Sequence, residues 1–292
     1  MAPRGSGLDV VIVAYGPPEG LAQALATLGD AYPVWVIDNS SSPANAELAT
    51  TAGAHYVDAG ANLGFAAAVN MGLARLPDPG RDVLLLNPDA RVTPAELARL
   101  HAELGAHPEV ACVAPAQRVP GSPAPSRARW PWHTPAGAWA EAVGLSRRRL
   151  ASSRYFVGGA VLLLRKAALA DVGTFDERFF LYGEDEDWQR RAVERGWQVR
   201  FCPDVTAEHG AGGTESDGDR LQLRLHASTE RFIRKWYGTM GWELYRAGTL
   251  FGLVLRLARR GAGRRRRTAR LARLYVTGPD RTARRTGAVP AR

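Results

Sequence analysis

The residues best suited to chemistry lie late in the chain, in Phe179-Phe180-Leu181-Tyr182-Gly183-Glu184-Asp185-Glu186-Asp187-Trp188. Four consecutive acids favour the start of a helix, where unpaired amides carry partial positive charge. They also follow an aromatic apolar run, which predicts a partly buried position. A carboxylate so placed can act as general base or metal ligand. His209 follows about two dozen residues later, just before Gly210, Gly212 and Gly213. A lone histidine suits a packed structural position as well as a site, but one that follows an acid cluster and precedes a glycine run is a candidate ligand.

A second group of polar residues punctuates the first hundred positions. Tyr15 closes Val10-Val11-Ile12-Val13-Ala14, and Asp38-Asn39 closes Val34-Trp35-Val36-Ile37. Asn62-Leu63-Gly64-Phe65 opens a helix that carries Asn70, and Asn87-Pro88-Asp89 closes Val83-Leu84-Leu85-Leu86. Asp38-Asn39 can hydrogen-bond a base or a ribose; the same pair suits an Asx turn. Asn62, Gly64 and Asn70 can bring amide donors near a diphosphate. Asp89, on a strand end, is suited to serve as an oxygen ligand for Mg2+ or Mn2+; an ordinary Asn-Pro-Asp turn fits equally. Gly158-Gly159 permits close backbone approach to a ligand or marks a bulge. No G-x-x-x-x-G-K-[ST] and no G-x-G-x-x-G follows the first apolar run, which argues against a P-loop or dinucleotide site.

The elements that position these residues alternate. Short apolar runs at 10–14, 34–37, 55–57, 83–86 and 110–113 read as strands. Helical patterns lie at 21–28, 44–52, 64–76 and 94–104, the last with Thr93 as N-cap. Continuous apolar strands alternating with helices predict a Rossmann-like α/β fold with a mostly parallel central sheet flanked by helices. Ligands bind beyond the carboxyl ends of such strands, where the polar residues collect. Residues 116–153, with five prolines and Trp130, Trp132 and Trp139, read as a long irregular excursion. A strand over 155–164, a helix over 185–195, a strand over 198–202 and helices over 220–237 and 244–260 follow, with an end expected to fray.

The 292 residues suffice for one large domain or two small ones. Two cysteines, Cys112 and Cys202, exclude a disulfide scaffold and a cysteine-based zinc site, and they suit a reducing compartment. No run of about 18 apolar residues is present, and residues 1–7 lack an apolar signal core. The net charge is +9, yet residues 230–292 hold 17 basic and 3 acidic residues, so the rest is net acidic. The basicity belongs to a tail, which suits an anionic partner.

In order along the chain, Val-Ile-Val-Ala-Tyr, Val-Ile-Asp-Asn-Ser, Asn-Leu-Gly-Phe-Ala-Ala-Ala-Val-Asn and Leu-Leu-Asn-Pro-Asp-Ala resemble the front half of a GT-A family 2 glycosyltransferase. Val-Gly-Gly-Ala-Val-Leu-Leu-Leu-Arg, Gly-Thr-Phe-Asp-Glu-Arg-Phe-Phe, Gly-Glu-Asp-Glu-Asp-Trp and Glu-His-Gly resemble its acceptor half. The likeness spans residues 8–240 and is greatest to bacterial rhamnosyltransferase-like members. It implies a GT-A domain over 8–240, with a nucleotide-sugar half at 8–115 and an acceptor half at 116–240, followed by a basic amphipathic tail at 241–292. It implies inverting transfer of a sugar from a nucleoside-diphosphate donor, dTDP-rhamnose foremost, to a glycan or lipid-linked acceptor of the cell envelope. Tyr15, Asp38, Asn39, Asn62, Gly64, Asn70, Asn87 and Asp89 would hold the donor. Asp89 matches the last acid of the family's DxD motif, whose first acid is here Asn87, and His209 would complete a Mg2+ or Mn2+ site. Asp185 matches the acid of the ED motif, the general base; Gly158, Gly159, Glu184 and Asp187 lie on the acceptor side. Adjacent helical side chains point about 100° apart, so the four acids cannot all face one hydroxyl; Glu186 is expected to face solvent, and the family's motifs, which often keep an acid at Asp187, imply that it can turn inward.

Trp236, Tyr237, Trp242, Tyr245 and Phe251, followed by Arg256, Arg259, Arg260 and Arg264 to Arg267, suit an anionic membrane surface. The enzyme is then expected in the cytoplasm, peripheral on the inner face of the plasma membrane, with no nucleic-acid partner. Two rivals are a non-catalytic membrane or nucleic-acid binding module, which the net acidic body disfavours, and a nucleotidyltransferase, which normally shows a basic, glycine-rich first loop. Tyr15-Gly16-Pro17-Pro18-Glu19 has no basic residue.

Overall fold

The computed structural model describes residues 7–78, 80–122, 125–126, 128–145, 155–210, 218–259 and 262–290. Gly212, Gly213 and Arg260 of the motifs above lie outside the described residues. The chain forms two compact units. The first comprises residues 1–130, 156–178 and 184–216; the second comprises 131–155, 179–183 and 217–292.

The first unit is built on a nine-stranded sheet. Its front elements are β1 (Leu8–Ala14), α1 (Pro18–Leu28), β2 (Val34–Asp38), α2 (Pro43–Thr51), β3 (His55–Asp58), α3 (Phe65–Leu73), β4 (Asp82–Leu86), β5 (Ala90–Arg91), α4 (Pro94–Ala106) and β6 (Val110–Arg118). β7 (Pro125–Ser126), β8 (Arg129–Pro131), β9 (Tyr155–Val157), β10 (Val161–Leu164), α6 (Lys166–Val172), α7 (Glu184–Glu194) and β11 (Gln198–His209) follow. The strand order is β3-β2-β1-β4-β10-β6-β11-β5, with β7 on the side of β6.

β3, β2, β1 and β4 are parallel, and β1 is buried along its whole length. Burial on both faces explains why these strands read as unbroken apolar runs. Helix faces bearing Leu21, Leu25, Leu97, Leu100 and Leu104 join Val10, Ile12, Leu84 and Leu86 in one core. Thr93 caps α4, its hydroxyl accepting from the Glu96 N–H.

The second half of the sheet is mixed. The strand expected over 155–164 is two strands parted at Gly158-Gly159-Ala160, and β10 runs antiparallel to both β4 and β6. β11 runs beyond the expected end at Cys202. Its register against β6 shifts between Cys202 and Thr206, then continues to pair His209 with Ala90 of β5. Pro203, which donates no ladder hydrogen bond, lies in that irregularity.

The second unit is helical: α5 (Pro135–Ala142), α8 (Gly218–Arg259), α9 (Ala262–Thr277) and α10 (Pro279–Arg285). α8 is two limbs joined at Gly238, whose φ of 67° and ψ of −169° interrupt the helix. That left-handed backbone favours glycine.

The tail does not fray as expected. Tyr275, Ala283, Ala288 and Val289 are buried. Arg224 donates to the Ala288 carbonyl at 2.7 Å, and Asp280 accepts from both Arg231 and Arg284. Trp242, expected at a membrane surface, is buried and stacks on Tyr245 and Tyr275; Phe251 is exposed.

Candidate active site

Asp185 enters on the first turn of α7. One carboxylate oxygen accepts from the Gly159 N–H at 2.9 Å and the other from the Glu186 N–H at 2.8 Å. Burial pushes its pKa up to about 6, against the lowering effect of the Glu186 N–H and with help from the Glu186 charge. One turn on, Gln189 pairs its side-chain amide with both the N–H and the carbonyl of Val157. Asp185 and Gln189, at i and i+4, thus grip one backbone stretch, Val157 to Gly159. The sequence reading missed Gln189; its signal was that four-residue spacing from Asp185.

Gly158 and Gly159 have different reasons to be glycine. A Cβ on Gly158 would lie 2.8 Å from the Trp130 ring, whereas one on Gly159 would lie 3.4 Å from the Asp185 carboxylate. The next residue, Ala160, accepts from the Asn87 N–H at 2.8 Å. One backbone turn therefore joins Asp185 to the corner at Asn87-Pro88-Asp89.

The other three acids differ. Glu184 is buried, and its Oε2 has no hydrogen-bond partner among the described residues. Burial, then the charge of Asp185, holds Glu184 well above the usual carboxylate range. Asp187 turns inward as expected but pairs with Arg191 at 3.0 Å, and Arg191 also donates to the Val172 and Thr174 carbonyls. That pair ties α7 to the backbone at Val172 and Thr174. Glu186 does not face solvent as expected: it is 2% exposed.

Asp89 and His209 meet because β5 pairs with the far end of β11. His209 Nε2 lies 3.3 Å from Asp89 Oδ1, both side chains being partly exposed. The Gly210 N–H donates to the Asp89 carbonyl, and a Cβ on Gly210 would approach Asp89 Oδ2 to 3.3 Å. Glycine there leaves the second carboxylate oxygen clear. A carboxylate and an imidazole converging beside an open oxygen fit a divalent cation whose remaining ligands come from phosphate and water. No cluster of three or more His, Cys, Asp or Glu is present among the described residues, so such an ion would depend on the donor to complete its shell.

The expected nucleoside residues are tied into the scaffold by hydrogen bonds. The buried Asp38 carboxylate accepts from the Ser40 and Ser42 N–H groups, the Ser40 hydroxyl, the Asn45 amide and the Tyr56 hydroxyl, at 2.6–3.3 Å. Four of these donors come from the loop and helix that follow β2 and the fifth from Tyr56 of β3, so the carboxylate pins the strand end at which the nucleoside is expected. Asn39 donates to the Gly64 carbonyl and accepts from Leu63, tying the β2 end to the loop before α3. Asn62 closes that loop by accepting from Gly64 N–H, and Gly64, at φ 84°, starts α3. The Asn70 amide clamps Phe175 through both N–H and carbonyl and donates to Glu177. Tyr15 stands half-buried at the end of β1.

Residues 83–275 match the family model described as glycosyl transferase family group 2. The chain is 30% identical over 276 residues to the N-acetylglucosaminyl-diphospho-decaprenol L-rhamnosyltransferase of Mycobacterium tuberculosis, covering 81% of this chain and 89% of that one. It is 24% identical over 213 residues to a low-salt glycan biosynthesis hexosyltransferase of Haloferax volcanii, covering 69% and 66%. Among solved structures, a mannosyltransferase of Pyrobaculum calidifontis in complex with GDP-Man and Mn2+ superposes with a TM-score of 0.59 at 17% identity, over 94% of this chain and 82% of that one. Glucosyl-3-phosphoglycerate synthase of Mycobacterium tuberculosis, in complex with Mn2+, UDP and phosphoglyceric acid, superposes with a TM-score of 0.54 at 16% identity, over 78% and 76%.

Proposed function

The chain belongs to glycosyl transferase family group 2, and from that premise we infer that it transfers rhamnose from a nucleoside-diphosphate donor to a lipid-linked glycan acceptor. The sugar and the acceptor are argued from the mycobacterial relative, whose match runs through most of both chains. The single observation behind the site assignment is the turn at Gly159-Ala160, which holds Asp185 with one residue and Asn87 with the next.

In this reading Asp185 is the general base. Above about pH 6 it is ionised, and two N–H donors fix its orientation. It accepts the proton of an acceptor hydroxyl as that oxygen bonds to the anomeric carbon. The bond from that carbon to the diphosphate breaks on the opposite face, so configuration inverts without an enzyme nucleophile. Glu184, beside it, orients the acceptor. Tyr15 and the loop carrying Asn62 and Gly64 shape the nucleoside end, held by Asp38 and Asn39. Asp89 and His209 would hold Mg2+ or Mn2+, which when bound neutralises charge on the leaving diphosphate. A lipid-linked acceptor places the enzyme at an anionic membrane surface, and among the described residues no helix is long and apolar enough to cross one.

A thermal-shift panel of nucleotide-sugars tests the donor. The expected result is a rise in Tm with dTDP-rhamnose that grows with its concentration, by the linkage of binding to stability. No shift with any nucleotide-sugar, with or without divalent ion, would remove this reading.

A further inference from the structure

The loop Phe179–Gly183, which leads by one peptide bond into Glu184 and Asp185, belongs to the helical unit. Its backbone ends in two successive left-handed residues, Tyr182 at φ 68° and Gly183 at φ 84°. Glycine takes that conformation freely, but a tyrosine does so at a cost and keeps it only where its surroundings fix the chain. Gly183 is confined too: an added Cβ would lie 3.1 Å from the Phe179 ring and 3.6 Å from the Ser228 Cβ. The first limb of α8 supplies the fixing contacts. Ser228, buried, donates its hydroxyl to the Leu181 carbonyl at 2.9 Å, directly before Tyr182. Four residues earlier, and so on the same helix face, the buried Arg224 holds its guanidinium 5.0 Å from the centroid of the Phe180 ring and donates to the Ala288 carbonyl at 2.7 Å. Phe180 also packs on the small apolar cluster of Ala227, Ala283, Ala288 and Val289. Residues 283–289 thus back the loop through Arg224 and Phe180.

The residue that this loop delivers is Glu184. Its buried Oε2 has no hydrogen-bond partner among the described residues, so the aim of that oxygen follows the backbone that carries it. Asp185, by contrast, is held by the Gly159 and Glu186 N–H groups within the sheet unit. We propose that Ser228 and Arg224 are positioning residues: through the loop they set the pose of Glu184 and with it the acceptor end of the site, which gives residues 283–289 a part in transfer. The proposal rests on the reading of Glu184 as the group that orients the acceptor. It carries an asymmetry. Loosening the loop disturbs the acceptor and spares the donor, because the Asn87-Pro88-Asp89 corner and His209 are built within the sheet unit.

The test uses the full chain with dTDP-rhamnose, divalent ion and a polyprenyl-diphosphate-linked N-acetylglucosamine. Ser228→Ala removes one hydroxyl and leaves the rings packed. It is expected to speed amide exchange over residues 181–186 and to raise the acceptor KM ~10-fold, while the donor KM stays within about 2-fold. Ser228→Thr, which keeps the hydroxyl, is expected to restore both. Arg224→Met should act in the same direction, and S228A/R224M should cost less than the product of the two single effects, because both act on one loop. If Arg224→Met lowers Tm below the assay temperature, the Ser228 pair is read alone. An unchanged acceptor KM in Ser228→Ala overturns the proposal, since a hydroxyl with a structural role alone would lower Tm and leave KM as it was. An equal rise in both KM values overturns it as well, because it marks general loosening. If the intact chain transfers nothing to this acceptor, the acceptor reading falls and exchange decides the rest. Faster exchange in Ser228→Ala, reversed in Ser228→Thr, then upholds the hold on the loop, and unchanged exchange overturns it.

Discussion

Replacing Asp185 by Asn separates a general base from a structural carboxylate, because the two roles predict opposite trends with pH. Burial holds Asp185 at about 6 in the folded protein, against 3.8 for an ordinary Asp. A carboxyl whose folded pKa is raised binds its proton more tightly in the native than in the unfolded state. Its favourable contribution is present below about pH 4 and is lost as pH rises through about 6. Ionised at pH 7, it costs up to ~3 kcal/mol relative to the neutral form. Asn carries no such charge, but it can accept only one of the two N–H bonds made to Asp185, a fixed penalty of ~1–3 kcal/mol. The expected signature is therefore a stability difference that shifts in favour of Asp185→Asn by up to ~3 kcal/mol between pH 4 and pH 7.5, whatever its absolute sign. Urea unfolding of both proteins across that range measures it. Turnover of Asp185→Asn should fall at least ~10²-fold, and wild-type kcat/KM should lose ~10-fold per pH unit below about 6. A stability difference independent of pH, or near-normal turnover in the variant, would refute the reasoning.

Three other perturbations have defined outcomes. Asp89→Ala and His209→Ala should raise the concentration of Mn2+ or Mg2+ needed for half-maximal activity, and chelator should abolish wild-type turnover; full activity in chelator would mean that the Asp89 corner meets the donor without metal. Asp38→Ala strips five donors of one buried acceptor, so it should cost ~3 kcal/mol or more in denaturant unfolding; unchanged stability with lost donor affinity would show a direct ligand role. His226, hydrogen-bonded to Tyr275, is pushed down to about 4 by burial and, less, by His133. A depressed His pKa destabilises the fold as pH drops from 6.5 toward 4, so thermal melts should lose up to ~3 kcal/mol there, and His226→Gln should remove much of that slope.

The front of the fold was legible because its physics is local. Val10–Ala14 and Val83–Leu86 are apolar on both faces, and Thr93 with Pro94 and Glu96 spells a capped helix start. The rest depends on partners far away in sequence. Pro203-Asp204 reads as the end of a strand, yet β6 pairs again with Thr206–Glu208 and the two-residue β5 with Glu208 and His209. The meeting of His209 with Asp89 could be named from matching motifs but not located. Residue type could not divide Asp38 between ligand and scaffold, since either role uses the same oxygens, and the five donors around it come from residues whose approach only the fold determines. Four consecutive acids leave the buried face of α7 undetermined, and Glu186 proved to be inside. The run of arginines concealed the packed tail, because Tyr275, Ala283 and Val289 are scattered among charged neighbours and make no long apolar run.

The most direct measurement pairs the chain with dTDP-rhamnose and a polyprenyl-diphosphate-linked N-acetylglucosamine in detergent, with divalent ion present. The lipid-linked product is resolved by chromatography, and its anomeric configuration is read by NMR. A rhamnosylated lipid with configuration inverted relative to the donor, formed by the intact chain and at least ~10²-fold more slowly by Asp185→Asn, is the predicted result. A product that retains the donor configuration, or one formed as fast by Asp185→Asn, would contradict a single displacement driven by that carboxylate.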